Sequence, residues 1–73
     1  MEKKLENYII NTAYNYLSGE TDIEVCDNFG EYQGTLDGSR YDFDDITDDD
    51  IEDALANGDY EYVSENPIWN GVY

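Results

Sequence analysis

The stretch from Tyr41 to Asp53, YDFDDITDDDIED, sets the strictest condition on any fold this chain adopts. Asp42, Asp44, Asp45, Asp48, Asp49, Asp50, Glu52 and Asp53 fall within twelve residues, and no Lys or Arg interrupts them. Like charges this close repel, so the carboxylates must stand in water. Tyr41, Phe43, Ile46 and Ile51 are interspersed among them. A solvated acidic tail has no use for those apolar residues. The pattern predicts a folded element with a buried side and a dense row of carboxylates outside. The charge problem extends along the chain. Nineteen acidic and 3 basic residues give a net charge of −16, a self-repulsion that opposes compaction. Aromatics make up 15% of the residues and are spread throughout, which disordered acidic chains lack.

Seventy-three residues make one small domain, spanning 1–73, without room for a second core. A chain of this size buries only about 60% of its unfolded surface, so its stability margin is small. The expected fold class is α+β. Lys3 to Leu17 reads as an N-terminal amphipathic helix: Leu5, Tyr8, Ile9, Thr12, Ala13, Tyr16 and Leu17 follow helical spacing. Ile10 lies beyond that stripe, and Gly19 suits the left-handed cap that would end the helix. Thr21 to Asp27 and Glu31 to Leu36 alternate as strands, joined by a turn at Asn28-Phe29-Gly30. Asp37-Gly38 reads as a type I′ hairpin turn, with Ser39 to Phe43 as the third strand. Gly34 inside a strand marks a bulge or a close contact with a helix. Thr47 is the expected N-cap of a second, short acidic helix over Asp48 to Asn57, which buries Ile51, Ala54 and Leu55 and stops at Gly58. Asp59 to Val63 is a candidate fourth strand. Together these predict a three- to four-stranded antiparallel sheet with two helices. The closing residues, Ile68 to Tyr73, are apolar and read as core or interface.

Several chemistries are set aside by residue type. The chain has no His, so Ser-His and Cys-His nucleophile pairs and His-type zinc sites are absent. Cys26 is the single cysteine, so no intramolecular disulfide or CxxC metal site forms; a small buried hydrophobe in a strand is the ordinary reading. The opening residues lack the apolar run of a signal peptide, and no stretch reads as a membrane span. The expected location is cytoplasmic. Strong acidity argues against direct nucleic-acid binding and against anionic membranes, and favours a basic protein partner or a divalent cation. No catalytic group and no cofactor is expected, and the chain is not read as an enzyme.

The acidic row supports three readings. Asp42, Asp44, Asp48, Asp50 and Asp53 fall at EF-hand offsets 1, 3, 7, 9 and 12. Ile46 occupies a ligand offset, Thr47 replaces the required glycine, and the last ligand is Asp instead of Glu, so a calcium module ranks low. Paired-carboxylate hydrolysis needs a pocket, which this length does not promise. A binding surface remains. Asp48, Asp49 and Asp50 also stabilise a helix N-terminus, each by about 0.3–1 kcal/mol, without any partner. Glu52 and Asp53 instead form like-charge pairs with Asp48 and Asp49, each costing about 0.2–0.5 kcal/mol. With Asp42 to Ile46 extended, the row would run roughly 25 Å, about one charge per 3 Å. One DNA strand carries one per about 3.4 Å.

In size, acidity, tyrosine content and the Tyr41–Asp53 row, the chain resembles phage-encoded DNA-mimic inhibitors of the anti-CRISPR and anti-restriction type. The resemblance is to a class and carries no family-specific motif. It implies that the acidic face occupies the basic DNA channel of a bacterial defence nuclease, with a Cas effector preferred over a restriction nuclease. Partner contacts would come from Asp42, Asp44, Asp45, Asp48, Asp49, Asp50, Glu52 and Asp53, with Tyr41, Tyr60 and Tyr62 as aromatic anchors. The alternative is an acidic non-mimic interaction module, antitoxin-like or a regulatory subunit.

Overall fold

Strand pairing, and not helical spacing, governs the N-terminal residues. A computed structural model describes residues 1–62. In it, β1 (Glu2–Lys4) and β2 (Tyr8–Asn15) form a hairpin where a helix is predicted. With β3 (Glu20–Asp27) and β4 (Tyr32–Leu36) they make an antiparallel sheet in the order β1-β2-β3-β4. The reason for the correction lies in pairing. β2 lies in register with all of β3, from Tyr8 opposite Asp27 to Asn15 opposite Glu20. Tyr, Ile and Thr suit a pleated surface, and Asn is a poor helix former. Ile10, left off the helical stripe, is fully buried, opposite Val25. The Gly19 signal was also a local one. Its N–H donates to Asn15 O at 2.8 Å, the same i to i+4 bond that closes a helical turn, with φ at 76°. Here that turn joins two strands.

β3 and β4 lie where alternation places them, and the turn between them includes Asn28, Phe29 and Gly30. The pairing shifts register between Val25 and Cys26, so a bulge precedes Gly34. A Cβ at Gly34 would lie 2.5 Å from the Tyr60 ring. The close neighbour is thus an aromatic after the helix, not a helix itself.

The hairpin expected at Asp37-Gly38 does not form. Gly38 lacks a positive φ, and no non-glycine residue among those described has one. The Asp37 carbonyl accepts from Arg40 N and Tyr41 N, and its carboxylate accepts from Ser39 N and Oγ. The chain therefore winds through turns over Ser39 to Phe43 in place of a third strand. Gly38 N donates to Asp22 Oδ1 at 2.9 Å, which holds this loop beside β3.

The helix α1 (Asp48–Asn57) has the predicted bounds. Thr47 Oγ1 accepts from Asp50 N, and the Asp50 carboxylate accepts from Thr47 N, a complete capping box. Gly58, at φ 73°, ends it. One face of the sheet supplies Ile10, Ile23, Val25 and Leu36 to the core; Ile46, Ile51 and Ala54 close over them. Leu5, Tyr8, Tyr41, Phe43, Leu55 and Tyr60 pack around the margin. The expected fourth strand reduces, among the described residues, to one antiparallel bridge between Thr35 and Glu61. Val63 and Ile68 to Tyr73 lie outside the described residues.

Candidate functional site

The acidic row does not run straight. Asp45 N and Ile46 N both donate to Asp42 O, so Asp42 to Ile46 is a tight turn and not an extended segment. The row is therefore shorter than the roughly 25 Å of an extended segment, and its charge spacing does not follow that of a DNA strand. The row is instead a turn leading into the first two turns of α1. Lys3 anchors that turn to the sheet: its ammonium donates to Phe43 O at 3.1 Å and Asp44 O at 2.9 Å, and lies 5.6 Å from the Phe43 ring centre.

The eight acids divide by task. Asp42 Oδ1 accepts from Asp44 N at 3.0 Å. Asp48 Oδ2 accepts from Asn7 N and Nδ2, both at 3.0 Å, and so ties the helix start to the β1–β2 turn. Its other oxygen, Oδ1, is buried without a hydrogen-bond partner. Asp50 completes the capping box. Asp44, Asp45, Asp49, Glu52 and Asp53 are exposed. Their carboxylates take part in no hydrogen bond or ion pair within the described residues. Asp49, Glu52 and Asp53 share one helix face by their spacing. Lys3 reaches this row through backbone carbonyls alone, and the ion pair of the described residues joins Arg40 to Asp59 at 2.8 Å.

Of the three tyrosines, Tyr41 and Tyr60 are half-buried and pack on the core margin. Tyr41 donates its hydroxyl proton to Asp59 Oδ2 at 2.7 Å. That bond, then burial, raises its pKa above the usual phenol value. Tyr62 is 70% exposed and meets Tyr32 and Tyr60 edge to face, with ring centres 5.6 and 5.7 Å away. Tyr8, beside the row, has its pKa raised by burial first and then by the Glu52 and Asp48 charges.

The EF-hand offsets do not converge. Asp42, Asp48 and Asp50 each turn to a different backbone amide. A different trio comes together: Glu20, Asp22 and Asp37 offer carboxylate oxygens within 4.8 Å of one another. They line a groove of about 440 Å³ with Asn15, Arg40 and Asp59. Asp22 is already satisfied there by Asn15 Nδ2 and Gly38 N. Ser39, through its backbone and then its hydroxyl, holds the Asp37 carboxyl below its usual pKa. Alternation in β3 puts Glu20 and Asp22 on one face, but only the β3–β4 register brings Asp37 to them. The sequence reading missed this cluster for that reason.

It also missed the exposed apolar tips. Tyr16 and Leu17 at the β2–β3 turn are 88% and 99% exposed, and Phe29 at the β3–β4 turn is 95% exposed. Comparison with protein-family models, curated proteins and solved structures finds no match to this chain.

Proposed function

We propose that this protein is a stoichiometric inhibitor that imitates nucleic acid. Its acidic ridge enters the basic DNA channel of a bacterial defence nuclease, a CRISPR effector being preferred. One observation carries the reading. Asp44, Asp45, Asp49, Glu52 and Asp53 stand exposed with no ion-pair partner among the described residues, while Lys3 is engaged by the backbone carbonyls of Phe43 and Asp44 and Arg40 by Asp59. Such a ridge costs stability in a small fold and gains only when cations of a partner meet it. Arg and Lys that normally grip phosphates would pair with these carboxylates, the bidentate Arg pairs most strongly. The chain needs no catalytic group for this task.

The alternative is an acidic module that binds a basic protein without imitating nucleic acid. Glu20, Asp37 and Glu61 favour it, because they place acid at the groove away from the ridge.

A pull-down from bacterial lysate, at low salt and again at about 0.5 M, identifies the partner. The expected partner is a nucleic-acid-binding protein, bound less at high salt and released by its own DNA target. The variant Asp45→Asn/Glu52→Gln/Asp53→Asn should keep the fold and bind that partner at least tenfold more weakly. Unchanged affinity would remove the ridge from the mechanism. A ternary complex of partner, DNA and this protein would overturn the imitation.

A further inference from the structure

Phe29 is placed where neither the core nor turn chemistry calls for it. Its side chain is 95% exposed. Turn positions ordinarily take Gly, Asn, Asp or Ser. The turn is firmly held. Asp27 Oδ1 accepts from Phe29 N and Glu31 N, both at 2.9 Å, and Gly30 N donates to Asp27 O at 3.0 Å. The ring therefore projects from a pinned support and not from a slack loop.

Hydrogen bonds join this turn to the acidic ridge. Asn28 Nδ2 donates to Glu6 O at 3.3 Å, and the next residue, Asn7, donates twice to Asp48. Phe29, Glu6 and the first turn of α1 thus share one end of the molecule. Glu6, Glu31 and Asp49 are exposed there. The nearest cation in sheet register, Lys4, sits opposite Ile9 and not in this turn.

A flat ring beside a run of anions has the chemical make-up of an unstacked nucleotide. An intact duplex hides its base faces in the stack and offers mainly phosphates. Single strands and flipped nucleotides offer a base face as well, and their binders receive it on aromatic or Arg planes flanked by cations. We infer that Phe29 occupies a base-stacking slot of the partner while the neighbouring carboxylates meet the cations around it. The partner is then a protein that grips single-stranded or locally opened nucleic acid. This rests on the nucleic-acid-imitation reading above.

The test uses the whole chain, immobilised and loaded with bacterial lysate. Bound protein is eluted with oligo(dT) or with a duplex of equal phosphate concentration. Oligo(dT) should elute it at lower concentration. Phe29→Leu, which keeps apolarity but loses the ring face, should weaken capture by about tenfold. Phe29→Trp should retain it. All three chains should melt together, because the side chain is exposed. Equal elution by the duplex, or undiminished capture by Phe29→Leu, overturns the inference and leaves the imitation intact. Elution by neither nucleic acid, or capture of nothing, overturns both.

Discussion

Tyr41 links the loop after β4 to the segment after α1 through one hydroxyl. Its bond to Asp59, and the burial of Tyr8, keep both phenols protonated above their ordinary range. The sign of the consequence is fixed. A folded pKa above the unfolded value, near 10, adds stability that is fully present below pH 10. That stability is lost as pH rises through the folded pKa, because only the unfolded chain releases the proton readily. Thermal melts at stepped pH should therefore fall above about pH 10, and absorbance titration should show phenol ionisation that continues to higher pH in the folded chain than in the unfolded one. Tyr41→Phe should lose about 1 kcal/mol at neutral pH and flatten part of the alkaline decline. A titration in which the variant and the parent lag equally would deny Tyr41 this role. Gly38 is constrained by space and not by dihedral angle. A Cβ there would lie 1.8 Å from Thr21 O, so the loop would have to lift from β3. Gly38→Ala should destabilise by about 1–3 kcal/mol in denaturant melts. Full stability would show that the loop moves freely.

The helix α1 is an element in conflict with itself. Its cap and first-turn acids favour it; the Asp48–Glu52 and Asp49–Asp53 pairs oppose it. Thr47→Ala removes the cap acceptor for Asp50 N and should cost about 1 kcal/mol. Asp45→Asn/Glu52→Gln/Asp53→Asn leaves the capping box untouched and relieves repulsion, so it should melt at or above the parent temperature. A matched pair of melts checks both. A triple variant that melts well below the parent would mean that these acids hold the fold in a way no hydrogen bond accounts for. The two results separate acids that build the helix from acids that only load its surface. The first set, Asp42, Asp48 and Asp50, is a poor choice for testing function, since each change also disturbs a turn or a cap.

At the scale of the molecule, a charge of −16 sits on a core that, among the described residues, consists of Ile10, Ile23, Val25, Leu36, Ile46, Ile51 and Ala54. Added salt screens repulsion between exposed charges over a Debye length of about 3 Å at 1 M, against about 10 Å at 0.1 M. Melting temperature should rise from low salt to about 0.5 M. A flat response would mean that the carboxylates lie too far apart to matter. Salt should act oppositely on partner binding, which loses its attraction as the same charges are screened. Opposite salt slopes for stability and affinity are thus the whole-molecule signature of the proposed function. Among the described residues, no helix is long and apolar enough to cross a membrane.

What the sequence by itself determined is local. The bounds of α1, its Thr47 capping box, its Gly58 stop and the turn at Asn28 to Gly30 rest on bonds that span at most a few residues. Those residue types stay near each other in any fold, so the signal is legible without tertiary knowledge. Alternation also placed β3 and β4, where Ile23 and Val25, and then Leu36, recur on the core side. The tertiary structure decided the rest. Leu5 to Leu17 carries a helical spacing, and only the eight residues of pairing between Tyr8–Asn15 and β3 override it. That choice moves Ile10 from the edge of a stripe to the centre of the core. Asp37-Gly38 carries the residues of a hairpin turn, yet Asp22 and Thr21, more than a dozen residues earlier, hold it otherwise. The acidic row was visible as composition and the Asp50 cap as a local motif, but the bond of Asp48 to Asn7 followed from where the β1–β2 turn arrives. Long-range neighbours made those decisions because each local signal was compatible with more than one fold, and burial and pairing select only one.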